Sequence, residues 1–196
     1  MRHALLPTVR ALAPLALVLL AGAPAAAARG GDPATLPQDF LDELVVGPIK
    51  RITSFSFDHH GNLFYTLKQG RVWVVDSSGV QAPAPLLDVV EEVGNWNDHG
   101  LHGFALDPDY DSNGYVYVYY VVDTHHLKFF GTPQYDPAAD EFFTDTIGRV
   151  TRYTVFDPHD PFTTVDPASR TVLLGADAAS GIPVCSTSHG LSLIHI

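Results

Sequence analysis

Residues 115–120, YVYVYY, alternate tyrosine with mostly aliphatic side chains. A period of two places the tyrosines 115, 117 and 119 on one face of a β-strand and the remaining side chains on the other, which a helix would not do. The segment before it, DPDYDSNG at 107–114, is rich in aspartate, asparagine, proline and glycine, the residues that form tight turns. An apolar run precedes that turn, and a polar loop beginning at Asn95 leads into it. The pattern predicts a β-hairpin with a long polar loop at its start.

Short apolar-rich runs separated by turn residues lie both before and after this hairpin in the chain. These predicted strands are 52–57, 63–67, 71–75, 85–90, 148–156 and 170–174. We expect the runs before the hairpin to form an antiparallel meander. Residues 121–146 are polar with scattered aromatic side chains, and we expect them to form a long loop over one face of the fold.

Two segments share the same order of elements: an apolar strand, an aspartate, a polar turn with glycine, and an aromatic strand. They are SFSFDHHGNLFYTL and HGFALDPDYDSNGYVYVYY, and their aspartates, Asp58 and Asp107, lie 49 residues apart. An internal period of roughly 40 to 50 residues with about four strands per unit is typical of β-propeller blades. The sequence therefore predicts an all-β fold of the propeller type, with a β-sandwich as the alternative.

The first 28 residues have the pattern of a secretory signal peptide. Arg2 and Arg10 supply positive charge, residues 11–20 are apolar but short for a bilayer span, and small residues at 26–28 suit a cleavage site. Residues 29–43, rich in glycine, proline and aspartate, are expected to form a flexible lead-in. We therefore expect a secreted or periplasmic protein with no stable membrane insertion.

Charge and cysteine content exclude several classes of partner and site. Two of the 11 basic residues lie in the signal segment and all 22 acidic residues follow it, which leaves nine basic against 22 acidic residues and a net charge of −13. Such a surface repels nucleic acid and anionic lipid. Cys185 is the single cysteine, so neither a disulfide framework nor a cysteine-based metal site is expected within the chain.

Side chains that could bind a metal ion are frequent but poorly spaced. The histidines of the turns and loops form no helical H-x-x-x-H and no strand H-x-H pair, so we expect exposed turn residues and no metal site. Residues Asp109 to Gly114 match half of a calcium loop but lack its terminal glutamate, which favours a tight turn. The carboxylates of Asp88, Glu91 and Glu92 are expected in a solvated loop. The histidines concerned are His59, His60, His99, His102, His125 and His126.

Residues 98–120, DHGLHGFALDPDYDSNGYVYVYY, resemble the signature of the glucose/sorbosone dehydrogenase family, which includes soluble quinoprotein sugar dehydrogenases and Hedgehog-interacting-protein-like relatives. The segment GNLFYTLKQGRVWVVD resembles the corresponding part of the preceding blade. The similarity covers most of residues 52–152 and then 182–190. The positions in register are Asp98, Gly100, Leu101, Gly103, Ala105, Pro108, Tyr110, Asn113, Gly114, Tyr115, Tyr117 and Tyr120.

The resemblance implies a six-bladed β-propeller that holds pyrroloquinoline quinone (PQQ), together with Ca²⁺, and oxidises an aldose or polyol by hydride transfer to the quinone. It implies that His189 is the catalytic base that takes the sugar hydroxyl proton. Asp98 and His99 fall at cofactor-binding positions, although the family often has Gln or Glu where Asp98 stands. Ser188 stands where characterised glucose dehydrogenases have an acidic residue. The electron acceptor is not indicated.

The family propeller is several hundred residues long, so the chain resembles an N-terminal fragment, a truncated propeller. Residues 44–190 are expected to form its first blades, with Asp98 and His189 approaching each other at one mouth of the fold. Residues 191–196, LSLIHI, match the in-frame translation of a transposase adapter used in DNA library preparation, which predicts a non-native tail. We expect the fragment alone to be inactive and aggregation-prone. The alternative is a non-catalytic propeller that binds a glycan or a protein partner.

Overall fold

We describe the fold from a computed structural model, which describes residues 37, 39–41 and 43–185. The chain divides into two units, residues 1–42 and 43–196. In the first unit, the amide of Phe40 donates to the carbonyl of Pro37 at 3.1 Å. All the strands and helices given below lie in the second unit. The predicted signal peptide and the predicted tail lie outside the described residues, so both stay predictions.

The first sheet is an antiparallel meander of four strands, in the order β1-β2-β3-β4. Its strands are β1 (Ile52–Phe57), β2 (Leu63–Leu67), β3 (Arg71–Val75) and β4 (Leu87–Asp88). The first three have the predicted bounds. The fourth pairs over only two residues of the predicted 85–90, and it begins after Pro85, which has no amide proton for the ladder.

The second sheet repeats this meander with longer strands. Its strands are β5 (Leu101–Leu106), β6 (Tyr115–Val121), β7 (Thr146–Val155), β8 (Val165–Leu174) and β9 (Ile182–Val184). The first four are neighbours in chain order, and β9 pairs with the start of β7. A four-stranded antiparallel meander is the repeating unit, or blade, of a propeller, and the two sheets are two consecutive units of this kind. The predicted fold class, all-β with a partial propeller, is confirmed.

A single helical turn stands where the sequence predicts a tight turn. Helix α1 (Tyr110–Asn113) ends at Gly114, whose φ of 64° is left-handed and suits glycine. The carboxylate of Asp107 closes the turn, accepting from the side-chain amide of Asn113 at 2.9 Å and from the hydroxyl of Tyr117 at 2.6 Å. Asp107 therefore stabilises the turn through hydrogen bonds.

A second short helix corrects the predicted loop over 121–146. Helix α2 (Thr124–Phe129) begins there because the buried carboxylate of Asp123 caps it, accepting from the amide of His125 at 2.8 Å. The same carboxylate accepts from the amide of Glu141 at 3.2 Å, which ties down the far part of the segment. None of the helices in the described ranges is long and apolar enough to cross a bilayer.

The hydrophobic core lies between the two sheets. The predicted alternation of β6 is confirmed, because Val116, Val118 and Tyr120 are at most 1% exposed while the tyrosines between them are half-buried. Phe64 of β2 stacks on Phe104 of β5 with ring centroids 5.6 Å apart. This aromatic pair joins the two sheets across the core.

Three turns lie together at one end of the sheets: the turn after β1, helix α1 after β5, and the turn after β7. Tyr110 of α1 is buried among them. Burial raises the pKa of its hydroxyl, and the carboxylates of Asp58, Asp111 and Asp157 raise this pKa further. Each turn thus contributes one aspartate to the surroundings of a single hydroxyl.

At the opposite end, a glycine allows the two sheets to meet. The amide of Leu101 donates to the carbonyl of Lys68 at 2.8 Å, and the amide of Val121 donates to the carbonyl of Gly100 at 3.0 Å. A Cβ on Gly100 would lie 2.6 Å from Cγ of Lys68 and 2.7 Å from its carbonyl oxygen. These distances are shorter than van der Waals contact, so the junction needs a residue without a side chain.

We expect Gly100→Ala to destabilise the protein by about 1–3 kcal/mol, because the added methyl group forces the two sheets apart. The measurement is the free energy of unfolding in urea. Gly94→Ala is the matched control in the same loop, since its Cβ would meet its nearest neighbours at 3.4 Å, an ordinary contact. Equal losses in both variants would contradict the proposed role of the close approach.

Candidate functional site

The loop 94–100, which leads into β5, carries both predicted cofactor-binding residues. The amide of His99 donates to the carbonyl of Trp96 at 2.9 Å, and the two rings pack with centroids 4.5 Å apart. Asp98 is exposed, whereas His99 is only 1% exposed. Of the two, Asp98 is the side chain accessible to a ligand, and His99 packs inside the loop.

Lys68, just after β2, holds this loop in place. Its Nζ donates to the carbonyl of Asn97 at 2.5 Å. Partial burial and the nearby guanidinium of Arg51 lower the pKa of Lys68, and the carboxylate of Asp98 partly offsets this by raising it. Lys68 therefore lies near both the guanidinium of Arg51 and the exposed carboxylate of Asp98.

His102 and Tyr119 lie on adjacent strands at the same end of the second sheet, with ring centroids 6.5 Å apart. Nε2 of His102 and the hydroxyl of Tyr119 are buried and have no hydrogen-bond partner in the part of the chain that is described. Burial lowers the pKa of His102, so its imidazole is neutral at pH 7. Buried polar atoms without partners are costly, and a bound molecule could supply their hydrogen bonds.

Glycine also makes room for Tyr119. A Cβ on Gly148 would lie 2.5 Å from the Tyr119 hydroxyl oxygen, so the ring could not occupy its position beside any larger residue. We call Arg51, Lys68, Trp96, Asp98, His102 and Tyr119 the Asp98 cluster.

The predicted base, His189, lies outside the described residues, so its approach to Asp98 stays a prediction. Within the described ranges, Asp98 belongs to no group of three or more histidine, cysteine or acidic side chains that could hold a metal ion. Calcium takes roughly six to eight oxygen ligands. Backbone carbonyls can also supply such ligands, so Ca²⁺ binding stays a prediction.

Glu92 corrects one prediction, because it is buried and does not lie in a solvated loop. The amide of Asp123 donates to the carbonyl of Glu92 at 2.9 Å, which draws this part of the chain against the end of β6. Its Oε1 accepts from the hydroxyl of Tyr120 at 2.7 Å and from Nη2 of Arg170 at 2.6 Å, and it also bonds to Arg149. We call Glu92, Tyr120, Arg149 and Arg170 the Glu92 cluster.

Hydrogen bonds and positive charge keep Glu92 ionised. Burial alone would raise its pKa, but the Tyr120 hydroxyl and the guanidinium groups of Arg170 and Arg149 outweigh burial and lower the pKa below its ordinary value. Nothing in the local sequence could have revealed this cluster, because Arg149 and Arg170 lie 57 and 78 residues away along the chain.

The histidines divide into exposed and buried groups, which the sequence did not predict. His59 and His60 are exposed as expected. His99 and His126 are 1% and 7% exposed, so their prediction as exposed turn residues is wrong. His126 is buried because helix α2, which stands where a loop was predicted, turns it inward, and its Nε2 lies 4.0 Å from Oε1 of Glu92.

We expect Glu92→Gln to cost about 3–5 kcal/mol of unfolding free energy at pH 7, because it leaves the buried Arg149 and the partly exposed Arg170 without a counter-charge. The folded-state pKa of Glu92 lies below its ordinary value of 4.5. The stabilisation by ionised Glu92 is therefore present above pH 4.5 and is lost as the pH falls through the folded-state pKa. The difference in unfolding free energy between the parent and Glu92→Gln should therefore shrink in acid.

The control for this substitution is Glu91→Gln, a change at the exposed neighbouring residue that keeps an acceptor for the Tyr135 hydroxyl. Its unfolding free energy should change by less than about 0.5 kcal/mol. Urea unfolding of all three proteins between neutral and acid pH gives the comparison. A pH-independent gap would contradict ionisation of Glu92.

Comparison with known proteins gives a family for one segment. The family model Glucose / Sorbosone dehydrogenase matches residues 50–131, which contain the loop 94–100 and six of the nine strands of the described part. No curated protein matches the chain.

Several solved structures are similar over part of the chain. A PQQ-bound aldose sugar dehydrogenase from Streptomyces coelicolor has 20% identity over 67% of this chain and 33% of its own, with a TM-score of 0.42. A putative oxidoreductase (glucose dehydrogenase) from Thermus thermophilus has 18% identity over 68% and 33%, with a TM-score of 0.43. The apo form of the soluble aldose sugar dehydrogenase from Escherichia coli has 17% identity over 63% and 29%, also with a TM-score of 0.43.

The chain spans about a third of the length of these solved structures. The resemblance seen in the sequence is confirmed by the family model. Residues 50–131 of this chain are similar to the glucose/sorbosone dehydrogenase family.

Proposed function

We propose that the complete gene product is an exported, PQQ-dependent sugar dehydrogenase that oxidises a hydroxyl of an aldose or polyol. The observation that carries this proposal is the Asp98 cluster, which lies within the family-matched segment and combines cations with buried, uncommitted polar atoms. Residues 44–190 would supply its first blades, and residues 1–28 its export signal. The proposal leaves the electron acceptor and the particular sugar open.

The side chains of the Asp98 cluster fit a flat quinone that carries carboxylates. Lys68 and Arg51 can pair with carboxylates, and charge-assisted hydrogen bonds of this kind are the strong ones. Nε2 of His102 and the hydroxyl of Tyr119 can bond to ring oxygens or nitrogens, which would satisfy two buried atoms. When bound, PQQ would supply the acceptor for the hydride, with its two electrons, that leaves the sugar carbon.

The chain's own contribution to the reaction would be proton removal and positioning. His189 is the proposed base, because an imidazole that titrates near neutral pH can take the hydroxyl proton as the hydride leaves. Ser188 before it can give only a neutral hydrogen bond. Asp98 is proposed to contact the cofactor, and His99 to act through the loop as a positioning residue. Calcium binding stays a prediction without a ligand set in the described residues.

We expect His189→Ala in the complete gene product to lower kcat by about 100-fold or more, the usual contribution of a general base. The assay is dye-linked sugar oxidation with added PQQ and Ca²⁺. His59→Ala, an exposed histidine at the other end of the sheets, should leave kcat unchanged. Equal rates in the two variants would remove His189 as the base.

We expect Lys68→Met to weaken PQQ binding by about ten-fold, because it removes a cation and releases the Asn97 carbonyl that positions the loop. Titration of the apo form of the complete gene product with PQQ, followed by absorbance, measures the Kd for PQQ. Lys128→Met is the control, since Lys128 is exposed and pairs only with Glu141 at 2.7 Å in the described structure. The same Kd in both variants would argue against cofactor binding at the Asp98 cluster.

A second candidate function is a non-catalytic propeller that binds a glycan or protein partner. It is favoured by Ser188 and by the short anionic side chain of Asp98, each of which departs from the family pattern. Failure of the complete gene product to bind PQQ, together with sugar binding that leaves the sugar unoxidised, would support this second function over the first.

A further inference from the structure

We propose that His60, Asp111 and His159 form a binding site for a divalent transition-metal ion. One ligand atom from each of the three side chains lies within 4.8 Å of the other two. Nε2 of His60 is 3.4 Å from Oδ1 of Asp111, and their side chains are 51% and 40% exposed. The three residues come from three separate turns, so only the fold brings them together.

The distances suit a tetrahedral ion. Zinc bonds of about 2.0–2.1 Å place neighbouring ligand atoms about 3.3 Å apart. The His60–Asp111 pair already has nearly this separation. The rings of His60 and His159 have centroids 6.1 Å apart and an interplanar angle of 72°. His159 is exposed, so its side-chain torsions are free to adjust, and its ligand atom already lies within 4.8 Å of the other two.

Hydrogen bonds hold the backbone of both histidine turns. The carboxylate of Asp58 accepts from the amide of His60 at 2.9 Å, and that of Asp157 accepts from the amide of His159 at 2.9 Å. The two histidines occupy the same place in one repeated pattern, Phe-Asp-x-His, at 57–60 and 156–159. Because the turns are already ordered, binding an ion requires little further ordering of the backbone.

The donor set selects the kind of ion. Two imidazole nitrogens and one carboxylate oxygen suit zinc, copper or nickel, whereas calcium and magnesium prefer sites built from oxygen alone. Three protein ligands leave a further position for water or another ligand. The negative charge of the chain, −11 overall, favours a cation.

The site is independent of the proposed quinone chemistry. Asp98 precedes β5 and Asp111 follows it, so the length of that strand, about 20 Å for six residues at 3.3 Å each, separates them. A bound ion would join the first sheet, through His60, to the second sheet, through Asp111 and His159. The ion is therefore expected to hold two neighbouring blades together at the end opposite the Asp98 cluster.

The test is Zn²⁺ binding to the complete gene product, measured by equilibrium dialysis. Every protein carries Cys185→Ser, which removes the exposed thiol. We expect binding of one ion to be weakened at least about ten-fold by His60→Ala, Asp111→Asn or His159→Ala, since even indirect partners of a ligand have effects of that size. His59→Ala, one residue from His60, is the matched control and should bind Zn²⁺ like the parent.

A second readout separates binding from misfolding. Zn²⁺ should raise the Tm of the parent and of His59→Ala, but not of the three site variants, whose Tm without metal should equal that of the parent because all three side chains are exposed. Absence of Zn²⁺ binding in the parent, unchanged affinity in the three site variants, or displacement of Zn²⁺ by equimolar Ca²⁺ would each overturn the proposal.

Discussion

The backbone amide and the backbone carbonyl of Leu101 both hydrogen-bond to the first sheet or the residue just after β2, and the rest of the structure depends on that junction. Its amide donates to the carbonyl of Lys68 at 2.8 Å, and its carbonyl accepts from the hydroxyl of Thr53 at 2.6 Å. The start of β5 is thereby held at a set position relative to β1 and β2. The loop before it must turn at Gly100, and its preceding residues must pass the side chain of Lys68. Because the junction fixes the end of the loop, Asp98 lies on the exposed part of the loop at this end of the sheets.

Most of the fold could be predicted from local patterns. Strands β1, β2 and β3 have the predicted bounds because alternation and turn residues are encoded within a few positions. The repeat around Asp58 and Asp107 indicated two equivalent meanders, and the two sheets are arranged in that way. The first part of 121–146 was missed, although Asp123 before a helical run is a recognisable capping signal.

Features that depend on distant partners could not be predicted in the same way. Glu92 sits beside other acidic residues and has the local sequence of a solvated loop, yet its counter-charges come from β7 and β8. The proposed metal site is a similar case, since His60 and His159 are 99 residues apart in sequence. Spacing rules for metal sites describe ligands on one helix or strand, so three ligands on three turns escape them. Family resemblance located the Asp98 loop, but it could not reveal that His99 is buried.

The Glu92 cluster also affects how the two blades unfold. Glu92 follows the first sheet, while Arg149 and Arg170 belong to strands of the second, so the ionic contact closes a loop of 78 residues. We expect such a contact to form late in folding, because closing a long loop costs chain entropy before the contact is made. Once formed, it makes separate opening of either blade expensive, since a lone blade would leave buried charge unpaired. We therefore expect the two blades to behave as one cooperative unit, whose most protected backbone amides exchange with solvent only when both sheets open together.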